Sequence, residues 1–217
     1  IQFPDRRDWN RNLALDLDHG RWLAAVIDNE VVVFEIGDDR ISEPRSLGRC
    51  EGVNADVAID PQGRFVATAD TDGKIRLWRL PEGSTLEVLD GPPEIRYLRF
   101  SPGGLLLEAI TQEESTWLSW VWDMSGGSPR FLRIFDLGGT GLGSWRWDWH
   151  GDHVAKWGPD LKVRLWPREA PRDADPMVLD RGDNQQVHNA YFDPAGPWLA
   201  TADLAGLAVW PFAREYP

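Results

Sequence analysis

Short apolar runs, broken again and again by turn residues, set the pattern of this chain. Val31-Val32-Val33-Phe34, Ile75-Arg76-Leu77-Trp78, Leu118-Ser119-Trp120-Val121-Trp122, Val163-Arg164-Leu165-Trp166 and Leu207-Ala208-Val209-Trp210 are rich in β-branched and aromatic residues. They are too short for stable helices, so each predicts a strand. Their closing aromatics, Phe34, Trp78, Trp122, Trp166 and Trp210, follow one another at intervals of 44 residues. One pair at that spacing would mean little. Five in register with matching flanks define an internal repeat.

A second signal recurs upstream of each run. Ile59-Asp60-Pro61-Gln62-Gly63, Phe100-Ser101-Pro102-Gly103-Gly104, Trp147-Asp148-Trp149-His150-Gly151 and Phe192-Asp193-Pro194-Ala195-Gly196 are versions of one tight turn, with a shorter form at Leu17-Asp18-His19-Gly20. Pro presets φ and Gly accepts positive φ, so the chain reverses there. A strand follows each turn, as in Phe65-Val66-Ala67-Thr68-Ala69 and Trp198-Leu199-Ala200-Thr201-Ala202, and a polar turn such as Asp70-Thr71-Asp72-Gly73 returns the chain to the aromatic strand. Outer strands are predicted at Arg45 to Gly48, Thr85 to Leu89, Arg130 to Phe135 and Met177 to Leu179.

Four short strands per unit of this length predict an all-β chain built as a β-propeller, one domain over 1–217. Five four-stranded blades are recognisable, with repeats at about 11–50, 51–92, 93–139, 140–184 and 185–217. No clear outer strand follows Trp210. Either Ile1-Gln2-Phe3 supplies it beside Val209 and closes a five-blade ring, or the chain is an arc of a larger propeller. The start at Ile1 rather than Met suits a processed or excised piece.

The chain resembles a run of tryptophan–aspartate (WD) repeats over about residues 12 to 212. The best-matching stretch is Ile59-Asp60-Pro61-Gln62-Gly63 followed by Phe65 to Trp78. The repeats are degenerate and of bacterial appearance. The Trp-Asp pair survives only as Trp122-Asp123, and Gly48-Arg49 or Gly91-Pro92 stand where the family has Gly-His. In the family that His joins a turn Asp, a Ser or Thr and the Trp in a buried network. Asp28, Asp72 and Asp160 occupy the turn-Asp position, so the resemblance implies a network half present. It also implies the family's usual larger ring, which favours the arc.

Composition narrows the function. The 23 basic and 35 acidic side chains give a net charge of −12 with no Lys/Arg cluster, which opposes a nucleic-acid backbone. No apolar run is long enough to span a membrane, and Ile1 to Asn10 hold four charges rather than the core of a signal peptide. The one cysteine, Cys50, fits a reducing, cytoplasmic setting.

Catalytic or metal chemistry finds little support. His150 and His153 lie in an ordinary turn register. The carboxylates of Asp70 and Asp72 open like a calcium loop, but Ile75 and Pro81 stand where that loop needs Gly and Glu. Cys50 beside Arg49 reads as a packing residue, and no nucleophile elbow occurs. No metal, cofactor or catalytic residue is expected.

Trp78, Trp122, Trp166 and Trp210, with Trp22, Trp198, Trp145 and Trp147, fall at core positions. Trp117, Trp149 and Trp157 flank turns, as anchors for a partner or as packing under a loop. The resemblance implies protein binding at the end formed by the outer-to-inner connections and the Asp-bearing turns. The candidates there are Asp28, Asn29, Asp70, Asp72, Pro92, Pro93, Glu94, Glu113, Glu114, Asp183 and Asn184, joined by Trp149 and Trp157. That acidic surface suits a protein partner with a basic segment. The expected function is a non-enzymatic interaction or sensor module of a larger signalling or regulatory protein, with further blades or an effector domain elsewhere. The alternative is an enzyme or small-ligand binder using the central channel.

Overall fold

The computed structural model describes residues 13–15, 21–27, 29–51, 54–139, 144–148, 150–157, 162–171, 174–180, 182 and 186–212. These form five antiparallel sheets that follow one another along the chain. The first holds β1 (Leu13–Leu15), β2 (Trp22–Ile27), β3 (Glu30–Glu35) and β4 (Arg45–Arg49). The second holds β5 (Asn54–Ile59), β6 (Phe65–Asp70), β7 (Lys74–Arg79) and β8 (Thr85–Asp90). The third is β9 (Tyr97–Phe100), β10 (Leu106–Glu113), β11 (Thr116–Asp123) and β12 (Arg130–Gly139). The fourth is β13 (Ser144–Trp147), β14 (His153–Trp157), β15 (Val163–Pro167) and β16 (Met177–Leu179). The fifth has three strands, β17 (Asn189–Phe192), β18 (Trp198–Asp203) and β19 (Gly206–Pro211). The expected pairing of Ile1-Gln2-Phe3 with β19 lies outside the described residues.

The repeated turn works the same way in four sheets. The backbone N–H of Asp60, Ser101, Asp148 and Asp193 donates to the carbonyl of Phe65, Leu106, His153 and Trp198 respectively. The side chain of the same residue then accepts a nearby N–H: Arg64 to Asp60 (3.1 Å), Leu106 to Ser101 (3.1 Å), Asp152 to Asp148 (2.7 Å) and Ala195 to Asp193 (3.0 Å). A short acceptor is needed at that position, which is why Asp and Ser alternate there.

Each sheet packs one face on the next. Trp22, Ala24, Val31 and Val33 of the first sheet meet Val66 and Trp78 of the second. Ala67, Ile75 and Leu77 of the second meet Leu107 and Trp122 of the third. Leu106 and Val121 meet Val154, with Trp166 packed alongside. Ala155, Val163 and Leu165 meet Leu199, with Trp210 packed alongside. A middle strand flanked by sheets on both sides is therefore dry on both faces, as in β6, where all six residues are buried. Gly48 lets the first sheet close on the second, because a Cβ there would lie 2.6 Å from the Trp78 ring at a φ of +151.

Polar groups also cross between sheets. The Arg64 guanidinium bonds Asp60 and reaches the Gly104 carbonyl (2.8 Å). Glu108 is buried at the register that Ala67 and Ala155 hold in neighbouring sheets. It accepts from Ser119 and Arg99 of its own sheet and from the Trp145 indole of the next (3.0 Å).

Four core expectations need correction, and Trp145 is the first, half-buried rather than buried. Trp198, at a core register, is 44% exposed, because nothing covers that face of the fifth sheet among the described residues. Trp166 and Trp210 are half-buried rather than buried. In the fourth sheet β16 pairs only with Val163 to Leu165 and stops short of Trp166, and among the described residues the fifth sheet has three strands. Trp78 and Trp122, whose outer strands reach them, are buried.

Truncating a side chain between two sheets is the direct check on this packing. Leu77→Ala should destabilise the protein by about 2–5 kcal/mol in urea unfolding, and Val88→Ala, on an exposed outer strand, by less than about 0.5 kcal/mol.

Candidate interaction surface at one end of the sheets

The up-and-down course of each sheet brings the β2–β3, β6–β7 and β10–β11 turns to the same end as the β4–β5 and β8–β9 connections. Hydrogen bonds lace these loops together. Cys50 N–H donates to the Asn29 carbonyl (2.8 Å) and Gly91 N–H to the Gly73 carbonyl (2.8 Å). The Thr111 hydroxyl donates to the Pro93 carbonyl (2.8 Å). Three non-glycine residues have positive φ among the described residues, Asn29 (64), Glu94 (52) and Glu114 (51), and all three lie at this end. For glutamate that conformation is uncommon and costly.

The structure brings several expected residues together here. Asn29 lies in the β2–β3 turn with a φ of 64. Asp72 is exposed in the β6–β7 turn and accepts the Lys74 N–H (2.9 Å). Pro93 and Glu94 are exposed in the β8–β9 connection, and Glu113 and Glu114 are exposed at the β10–β11 hairpin. Glu51 and Asp90, exposed at the same end, join them and were not singled out from the sequence. The surface is less acidic than composition alone suggested. Lys74 pairs closely with Asp90, Arg96 with Glu94 (3.3 Å) and Arg76 with Glu51 (3.1 Å). Asp72 also lies 4.0 Å from Arg76, so Glu113 and Glu114 supply most of the remaining negative charge.

Three expected contact residues are buried instead. Asp70 is the last residue of β6, fully enclosed, and forms a close ion pair with the buried Arg76. Pro92 is buried beneath the β6–β7 turn, its carbonyl 3.1 Å from where a Cβ on Gly73 would sit. Trp157 is a core residue of the fourth and fifth sheets, its indole donating to the His188 carbonyl (3.4 Å). β14 runs through Trp157, which pairs with Val163, so the residue belongs to a strand rather than a turn. Trp117 is half-buried and stacks on Tyr97 with ring centroids 6.3 Å apart. Asp28, Trp149, Asp183 and Asn184 lie outside the described residues.

Beneath this end the chain builds its own polar network. The Trp78 indole donates to the Thr68 hydroxyl (3.2 Å), and the Trp210 indole to the Thr201 hydroxyl (2.9 Å). Cys50 is buried against Thr68 and Asp70. Burial, reinforced by the Asp70 carboxylate, pushes its thiol from an ordinary 9.0 up to about 12. That thiol is held protonated and unreactive. The His153 imidazole lies 3.2 Å from Asp148 within its own turn. Among the described residues no three His, Cys, Asp or Glu converge as a metal site.

The stacked antiparallel sheets define the class of protein: an all-β chain with the fold of a β-propeller that carries a WD repeat. Residues 47–79 match the model of the WD domain, G-beta repeat. The chain is similar to the small ribosomal subunit protein RACK1 of Glycine max, 38% identical over 72 residues, 33% of this chain and 21% of that protein. It is similar to eukaryotic translation initiation factor 3 subunit I of Aspergillus oryzae, 29% identical over 65 residues, 30% of this chain and 19% of that protein. The chain thus matches about a fifth of these relatives' length. Both relatives are eukaryotic, and neither supports a bacterial appearance. In fold it resembles the β-propeller domain of Cps50 (Swd1) from Myceliophteria thermophila, with a TM-score of 0.62 at 13% identity, covering 93% of this chain and 70% of that one.

Two measurements check the network. Asp70→Ala leaves the buried Arg76 charge without its enclosed partner and should cost about 3–5 kcal/mol, against about 1 kcal/mol or less for the exposed Glu51→Ala. At pH 8, Cys50 should carry about a thousandfold less thiolate than an ordinary cysteine, so iodoacetamide should label it only after urea unfolding. Because the folded thiol titrates above the unfolded one, its contribution to stability is full below about pH 9 and fades as pH climbs towards 12.

Proposed function

We propose that this chain is a non-enzymatic protein-interaction platform, one propeller domain over 1–217 within a larger cytoplasmic regulatory assembly. The observation that carries the reading is the laced end surface. Asn29, Glu94 and Glu114 hold positive φ there, side by side with the exposed carboxylates of Asp72, Glu113 and Glu114. Strained backbone persists only where surrounding structure over-determines it, and here the rigid sheets do so. Both named relatives are, by their names, subunits of larger assemblies, which agrees with a binding role.

The partner presents lysine or arginine to this end. Its charges steer association, since Glu113, Glu114 and Asp72 are exposed rim groups. Among the described residues of the inner strands, the charged side chains that face inward are already engaged, which disfavours the central-channel alternative. There Asp56 spends its carboxylate on the N–H groups of Leu98 (2.8 Å) and Val57 (2.9 Å), and Arg146 lies over the Tyr191 ring (4.2 Å).

A fluorescent lysine-rich peptide serves as the probe. Its affinity should drop steeply between about 0.1 and 1 M salt, as the Debye length shrinks from about 10 to 3 Å. The triple substitution Asp72→Asn, Glu113→Gln, Glu114→Gln should weaken binding at low salt and flatten that dependence. Affinity that ignores both changes would remove this surface as the binding site.

A further inference from the structure

The third sheet holds a pair of aromatic rings at the laced end that the core does not account for. Tyr97 pairs with Ile110, and Trp117 with Gln112 two residues further along β10, so both side chains belong to one face of the sheet. The rings stack with an interplanar angle of 29° and centroids 6.3 Å apart. Trp117 is half-buried and packs against the core between the third and fourth sheets, which fixes the pair from behind. Tyr97 is 52% exposed. An aromatic ring held open to water on a rigid backing is the usual form of a binding anchor.

Its counterparts on the neighbouring inner strands indicate what such a ring accepts. Trp145 of β13 lies under the Arg99 guanidinium (4.8 Å), and Tyr191 of β17 under that of Arg146 (4.2 Å). In each case an arginine of the preceding sheet covers the ring. Arg99 pairs with Glu108 and Arg146 with Ala155, the register at which the second sheet has Ala58 opposite Ala67. The sheet before Tyr97 therefore offers a methyl group where its successors offer a guanidinium, and among the described residues no cation lies over Tyr97. The surrounding charge favours one. Glu113 and Glu114 follow Gln112 at the tip of the hairpin that carries Trp117, exposed and without an ion pair among the described residues. The adjacent Arg96 is paired with Glu94 (3.3 Å).

We propose that the Tyr97–Trp117 stack is the anchor of the laced end and takes an arginine side chain of the partner protein, its guanidinium flat on the Tyr97 ring and its N–H groups toward the Glu113 and Glu114 carboxylates. The proposal rests on the reading of this end as a binding surface and adds to it the residue type that is recognised. Arginine fits better than lysine for a physical reason. Its planar, weakly hydrated cation lies against a ring while its edge still donates to carboxylates, whereas an ammonium gives up strong hydration to do either. Long-range attraction to the acidic loops does not tell the two apart, and the stack does.

Two fluorescent peptides of equal length and charge, one arginine-rich and one lysine-rich, test it at low salt. The arginine peptide should bind about three- to fivefold more tightly. Tyr97→Leu should abolish that preference and Tyr97→Phe should keep it, each without a shift in thermal midpoint because the ring is exposed. Equal affinity for the two peptides, or a preference that Tyr97→Leu leaves in place, overturns the proposal while salt-dependent capture by the acidic loops stands. A Tyr97-dependent preference for arginine that ignores both salt and the triple substitution at Asp72, Glu113 and Glu114 does the reverse: it upholds the stack and removes the acidic loops. If neither peptide binds, both readings fall.

Discussion

A small four-stranded sheet cannot keep two apolar faces dry by itself, and in this protein each sheet borrows its cover from the next. The aliphatic face of one sheet, such as Ile75 and Leu77, lies against the aromatic face of its neighbour, here Trp122. Burying side chains of this size is worth about 1.5–3 kcal/mol each, which dominates any single hydrogen bond in the structure. The interval between Trp residues, the Ala residues of the middle strands and the glycine opposite Trp78 all serve that contact. Ala67 and Ala155 keep the sheets close, and Gly48 lets an indole ring lie against backbone.

Polar groups at the same interfaces fix the order of the sheets rather than hold them together. Glu108 replaces an alanine at the contact between the third and fourth sheets. It takes donors from both, Ser119 on one side and Trp145 on the other. A carboxylate buried there is tolerable only because Arg99 and those donors surround it, and among the described residues no other sheet contact offers the same set. Arg64 and Gln62 likewise carry hydrogen bonds from the second sheet's turn to the Gly104 and Gly103 carbonyls of the third. Such links distinguish otherwise similar neighbours, which stacking of near-identical apolar faces cannot do.

The repeat was legible because burial on both faces leaves a dense apolar signature at fixed intervals. The strand positions and the turn residues follow from it. The errors share one cause. Register says where a residue sits in its own repeat and not what the neighbouring loop places over it. Asp70 was read as a turn residue, yet it ends a strand buried on both faces and is neutralised by Arg76 across the hairpin. Pro92 was read as exposed because it sits in a connection, but the β6–β7 turn folds over it. Trp198 failed in the opposite sense: its register is a core one, and what the described residues lack is the neighbour. Glu108 carries no sequence signal, because one carboxylate in an alanine column means nothing until its donors are seen together.

The two surfaces obey different physics, and that difference assigns them different lifetimes. The laced end carries exposed carboxylates and local ion pairs, whose attraction is screened by salt and whose desolvation is incomplete. It suits partners that arrive quickly and leave. The open face of the fifth sheet presents Trp198, Leu207 and Val209, with Tyr191 beside them under the Arg146 guanidinium. A contact made there would resemble the interior contacts between successive sheets, close-packed and dry, and so belongs to a permanent association.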